Sequence, residues 1–150
     1  MAVRSRLMYP HPLMSEPAPD ATASAQLIVR AEDLASALRF EPGDDFPAVF
    51  ATSRLVALME VAAARVLRPH LGPGQLSVGT SVEIVHTAAT PLGGTVTAIA
   101  VLRRQEGKLF VFEVTASDDA GEVGRGTHKR AIVSSERLVS GAAKRGPAAS

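Results

Sequence analysis

The feature that most constrains the fold is one strongly apolar helix. After Thr52 and Ser53, apolar residues recur at spacings of three and four and cover most of the helix circumference. They are Leu55, Val56, Leu58, Met59, Ala62, Ala63, Val66 and Leu67. A helix with so little polar surface must be enclosed by the rest of the protein. We expect a hydroxyl of Thr52 or Ser53 to cap its start, and Gly72-Pro73-Gly74 to stop it near His70.

The rest of the chain supplies strands to enclose this helix. A short strand is predicted at 26–30 and a short helical stretch at 31–39, both before the long helix. Four strands follow it, at 76–86, 95–102, 109–116 and 122–133, the last extending toward 138. One helix against one face of an antiparallel sheet is an α+β arrangement. We therefore predict a hotdog fold, with an antiparallel meander wrapped around one long central helix.

Length and composition define the class of protein. The 150 residues suit one domain, predicted at 25–138, and the aperiodic segments 1–24 and 139–150 are expected to be flexible tails. The net charge of +1 provides no field for nucleic acid, and no apolar run reaches the ~20 residues that span a bilayer. Without Cys, a ligand-spaced His set or a nucleotide-binding motif, we expect no metal or cofactor. Pro10 and Pro12 interrupt any signal-peptide core, so a cytoplasmic location is expected.

Three stretches of the sequence have distinctive residue patterns. The first runs from Phe46 to Leu-Met-Glu60, the second from Gly79 to His86-Thr-Ala-Ala-Thr-Pro91, and the third is Gly124-Arg-Gly-Thr-His-Lys-Arg130. Together they resemble the fluoroacetyl-CoA thioesterase family of hotdog proteins, over about 46–133. The resemblance implies hydrolysis of a small acyl-CoA by a catalytic Thr–Glu–His set.

The implied catalytic residues are Thr52, Glu60 and His86, and all three are present. The resemblance further implies that a backbone amide near Gly79 polarises the thioester carbonyl and that Arg130 lies near the substrate or the subunit interface. A lid that contains two Phe residues covers the acyl group in members selective for fluoroacetyl. Phe46 occupies one of these places and Gly43 the other, so the acyl group is not fixed as fluoroacetyl.

Each residue also has an ordinary alternative. Thr52 can simply cap the helix, Glu60 can lie on a solvated strip, and His86 can be a hydrogen-bonded core residue. Since His86 shares strand parity with Val82 and Ile84, it should face the helix and could approach its carboxylate. A His–carboxylate pair suits proton transfer near neutral pH. Attack by Glu60 and attack by water are both compatible with these residues.

The predicted sheet has open edges. Pairing edge to edge with a second copy would close them and form a homodimer.

The phosphates of CoA should meet basic residues, for which the candidates are Arg103, Arg104, Lys108, Lys129 and Arg130. Asp44-Asp45 has no His within ten residues, which argues against a hotdog hydratase or dehydratase. The remaining alternative is a non-catalytic module that binds acyl-CoA or an acyl carrier.

Overall fold

A computed structural model describes residues 12–147 of the chain. A curled five-stranded antiparallel sheet surrounds one helix, so the predicted α+β architecture is confirmed. The elements are β1 (Thr22–Ile28), α1 (Thr52–Leu67), β2 (Gln75–His86), β3 (Thr95–Glu106), β4 (Leu109–Asp118), β5 (Gly121–Ser134) and α2 (Ser135–Lys144). The helical stretch expected at 31–39 is instead two short 3-10 turns, Ala31–Asp33 and Ala35–Ala37.

The strand order is β1-β3-β4-β5-β2, which corrects the simple meander predicted for the last four strands. Tight hairpins join β3 to β4 and β4 to β5, and they make those strands neighbours. The connection from β2 to β3 is longer and contains Pro91 and Gly93-Gly94, which allows β2 to pair with β5 at the far edge. The two edges of the sheet are therefore β1 and β2.

The core lies between α1 and the concave face of the sheet. Seven residues of α1 are buried: Leu55, Leu58, Met59, Ala62, Ala63, Val66 and Leu67. Ala98, Ala100 and Ala116 are buried on the facing strands, and such short side chains let the helix approach the sheet closely. Phe110 and Phe112 fill the remaining volume. The helix is thus enclosed as its sequence requires.

A β-bulge interrupts β2 next to β5. The register shifts between Gly79 and Ser81, so that Thr80 is the extra residue. On the C-terminal side of the bulge, Ile84 packs against the core and His86 reaches α1. Leu76, on the N-terminal side, is 52% exposed, although it has the same sequence parity. The predicted single parity along this strand is therefore wrong, because the bulge exchanges the two faces.

The C-terminal segment differs from its sequence interpretation. Strand β5 ends at Ser134, rather than continuing toward 138, because the Ser134 hydroxyl accepts from the backbone N–H of Arg137 and starts α2. Helix α2 contacts β5. No helix within residues 12–147 is long and apolar enough to cross a membrane. The division into a domain at 25–138 with two flexible tails stays a prediction.

Candidate active site

The first turn of α1 meets the end of β2 at Thr52 and His86. The Thr52 hydroxyl lies 2.9 Å from His86 Nδ1, and the His86 ring stands edge-on to Phe50 with centroids 6.4 Å apart. The expected capping role is wrong: the N-cap residue is Ala51, and no side chain caps the helix. The Thr52 hydroxyl is therefore free to bond to His86. The N–H groups of the first turn have no side-chain cap, and they lie at the positive end of the helix dipole.

The pair opens into a mostly apolar cleft of about 400 Å³. Its lining residues are Ala35, Pro47, Val49, Phe50, Thr52, His86, Thr87, Ala88 and Ala89. His86 Nε2 is buried and has no hydrogen-bond partner among the described residues. A small apolar group fits such a lining, and an imidazole at its wall is suited to proton transfer near neutral pH.

Glu60 lies on the third turn of α1 in a different environment. Its carboxylate faces the guanidinium of Arg130, with Oε1 3.5 Å from Nη1. The Glu60 side chain is 40% exposed and the Arg130 side chain only 8%. Burial lowers the pKa of Arg130, whereas the negative charge of Glu60 opposes that shift. Glu60 is therefore a partly exposed carboxylate that pairs with a buried guanidinium.

Gly79 lies where β2 passes close to Glu60. A Cβ at this position would collide with the Glu60 carboxylate and would lie 3.0 Å from His128 Cε1. The backbone of β2 therefore approaches the carboxylate as closely as only glycine allows.

Three residues that support Arg130 were not found from the sequence. Arg130 Nε donates to Ser77 Oγ (2.9 Å), Nη2 donates to the Ser77 carbonyl (2.9 Å), and Nη1 lies 3.0 Å from His128 Nε2. The fully buried His128 contacts the Ser81 carbonyl through Nδ1 at 2.8 Å. A signal was present in β5, since Gly124, Gly126, His128 and Arg130 alternate onto one face.

The candidate residues form two groups within one chain. Thr52 and Glu60 are eight positions apart on α1, about 12 Å along the axis. His86 faces the helix as predicted, but it contacts Thr52 and not the carboxylate of Glu60. The expected contact between His86 and Glu60 is therefore absent within a single copy of residues 12–147.

The remaining candidates lie at the surface. Phe46 is 48% exposed on the loop before α1, and the Cβ position of Gly43 is open. Three of the basic residues proposed for phosphate are in exposed ion pairs: Arg103 with Glu113, and both Arg104 and Lys129 with Glu106.

Comparison with known proteins identifies the family. The model of the fluoroacetyl-CoA-specific thioesterase family matches residues 29–136. The chain belongs to this family. A fluoroacetyl-CoA thioesterase from Streptantibioticus cattleyicolor is 48% identical over 94 residues, which are 63% of this chain and 68% of the relative. The predicted class, a thioester hydrolase, is confirmed.

Solved structures agree with this assignment. One fluoroacetyl-CoA thioesterase structure matches with a TM-score of 0.84 and 36% identity, covering 89% of this chain and all of that one. A point mutant of such an enzyme, in complex with fluoroacetate and CoA, matches with a TM-score of 0.76 and 38% identity, covering 81% and 98%. The predicted hotdog fold is confirmed by these thioesterase structures.

Proposed function

We propose that this protein hydrolyses the thioester of a small acyl-CoA, using Thr52, Glu60 and His86 in a site shared between two copies of the chain. The observation that supports the proposal is the position of the two residue groups along the free edge strand β2. His86 and its partner Thr52 lie at one end of the strand, while Gly79 and Glu60 lie seven residues away. The group of Thr52 and His86 has no carboxylate, and the group of Gly79 and Glu60 does not contain His86.

Pairing two copies of β2 would bring the groups together. The outer edge of β2 has no partner strand within the described residues, and Val82 and Val85 are 38% and 55% exposed. In an antiparallel pair about a two-fold axis at Glu83, Gly79 of one copy stands opposite His86 of the other, because the Thr80 bulge takes up the extra position. Cα atoms across such a pair are about 5 Å apart. The Glu60 carboxylate, which touches Gly79, would then face a second copy's imidazole.

The chemistry follows from this arrangement. The acyl group occupies the apolar cleft beside Phe50, and its carbonyl oxygen accepts from the Gly79 amide and the uncapped first turn of α1. Glu60 either deprotonates the attacking water or attacks the carbonyl carbon itself, and the carbon–sulfur bond of the tetrahedral intermediate then breaks. When Glu60 attacks, the product of this step is an anhydride between Glu60 and the acyl group, which water hydrolyses to the free acid. His86 delivers a proton to the leaving thiolate, and Thr52 orients its ring. The products are the free acid and CoA.

The test is release of free thiol from a panel of acetyl-, fluoroacetyl-, propionyl-, branched, phenylacetyl- and medium-chain CoA esters. Hydrolysis of a small ester should fall by about 10²- to 10⁴-fold in Glu60→Gln, because the base or nucleophile is lost. Glu136→Gln, on exposed α2, is the matched control and should keep wild-type rates. Tight CoA-ester binding without turnover would instead support the binding-module alternative.

The shared site has its own test. Inactive Glu60→Gln and His86→Ala proteins are mixed, unfolded and refolded together. A mixed dimer with a shared site keeps one intact Glu60 and one intact His86 in the same site, so about a quarter of wild-type activity should return on random pairing. No recovery, despite mixed dimers seen by mass spectrometry, would show that each chain acts alone.

A further inference from the structure

The most heavily bonded polar group in the described part of the chain is the Arg130 guanidinium. Two of its donors reach Ser77 on β2, and a third reaches Nε2 of His128, which lies two residues away on β5. Nη1, which contacts His128, is also the nitrogen 3.5 Å from Glu60. Because a guanidinium is planar and rigid, contacts along one side fix the direction of the other side.

His128 meets Arg130 as an acceptor. Arginine has only donors, so the contact at 3.0 Å requires an unprotonated Nε2. The second ring nitrogen lies 2.8 Å from the Ser81 carbonyl, which can only accept, and the proton must therefore be on Nδ1. Burial is the main cause that lowers the pKa of His128, and the charge of Arg130 adds to it. The neutral ring with its proton on Nδ1 is the form that satisfies both neighbours.

We infer that His128 is a positioning residue for the proposed hydrolysis, which holds Arg130 so that its guanidinium orients the Glu60 carboxylate. Nη1 carries two hydrogens. His128 accepts one of them, which leaves the other on the side of Glu60. The Ser81 carbonyl, beside the bulge of β2, anchors the ring from behind. This inference rests on the proposed function only for its catalytic consequence.

Two amide substitutions separate the effects of the two hydrogen bonds that His128 makes, with Arg130 and with Ser81. In His128→Gln, the side-chain oxygen can reach the place of Nε2 and accept from Arg130. In His128→Asn, the amide nitrogen can reach the place of Nδ1 and donate to Ser81, but nothing accepts from Arg130. Both variants remove the buried ring beside Phe112, so their thermal unfolding should shift by similar amounts. The two variants therefore differ mainly in whether position 128 offers Arg130 a hydrogen-bond acceptor.

We expect His128→Gln to keep kcat within about threefold of wild type and His128→Asn to lose about tenfold or more, with KM changed less than twofold in both. The loss should disappear in an Arg130→Gln background, since His128 acts through Arg130. Equal losses in the two amide variants, or a loss that persists in that background, would overturn the inference.

A spectroscopic readout separates this inference from the proposed function. In ¹⁵N NMR of the full chain, His128 should show a protonated Nδ1 and an unprotonated Nε2. The Arg130 guanidinium should rotate slowly in wild type and in His128→Gln, and faster in His128→Asn. A protonated Nε2 in the wild type overturns the inference even if the enzyme is active. The expected spectra with an inactive wild type would reject the proposed function alone.

Discussion

The first and third turns of α1 carry the two halves of the candidate site, and they are built in opposite ways. At the first turn, Thr52 and His86 share one hydrogen bond at the wall of an open cleft. At the third turn, Glu60 touches a buried arginine that is itself held by several bonds. At the first turn, His86 Nε2 has no hydrogen-bond partner among the described residues. At the third turn, the charges of Glu60 and Arg130 are paired before substrate binds. Proton transfer needs a ring nitrogen that is not held by another group, and a buried guanidinium needs a nearby counter-charge.

The comparison predicts that the third turn is the more sensitive to shape. In Gly79→Ala, the new Cβ displaces the Glu60 carboxylate, which is the movable end of its side chain. Since a displacement of about 1 Å can cost 10²-fold, thiol release should fall by at least about that factor while the protein still folds. Glu136→Gln, on exposed α2, is again the control and should keep wild-type turnover. Near-normal turnover in Gly79→Ala would show that the carboxylate needs no fixed place.

The first turn should be sensitive to chemistry more than to shape. Thr52→Ala removes the hydroxyl that contacts His86 and should lower kcat by about 10- to 100-fold. Thr52→Ser keeps the hydroxyl and should stay within about threefold of wild type. Because Thr52 is not the cap of α1, the free energy of unfolding should change by no more than about 0.5 kcal/mol in either variant. Equal kcat losses for both variants would argue that the lost methyl group, and not the hydroxyl, matters.

The smallest effect is expected behind the first turn, where Asp118 supports the loop that follows His86. The Thr90 hydroxyl donates to Asp118 at 2.8 Å, and the Thr90 carbonyl accepts from Phe50 N–H. The Thr90 bond, followed by the Ala120 N–H, lowers the pKa of Asp118. Asp118→Asn should therefore cost about 1 kcal/mol of stability at pH 7, with turnover changed less than twofold.

The pH dependence of this effect has a defined sign. A carboxyl whose folded pKa is lowered stabilises the fold above its unfolded pKa, about 3.9, and loses that contribution as pH falls through the lower folded pKa. Urea midpoints of wild type and Asp118→Asn should therefore converge as the pH drops below about 4. A difference that stays constant down to pH 2 would assign the cost to packing.

Periodicity predicted the central helix and the strands because apolar spacing reports directly on burial. It also placed His86 on the helix face correctly. The same spacing could not show that β2 pairs with β5, because strand order depends on where a long connection crosses. Nor could it show that Glu60 meets Arg130 and not His86, since that contact joins residues seventy positions apart. Whether Thr52, Glu60 and His86 act together stays a prediction.

The extra residue in β2 determines which spacing in the sequence places two residues on the same side of the sheet. Gly79 and His86 are separated by an odd number of positions, so on a regular strand they would point to opposite sides of the sheet. With Thr80 as the bulge, both lie on the helix side, paired with Arg130 and Gly124. A designer who copied the two residues onto an ideal strand at this spacing would divide the site in two. Loss of the Thr80 codon would have the opposite outcome, because the two residues would then be six positions apart and would again lie on one side of a regular strand.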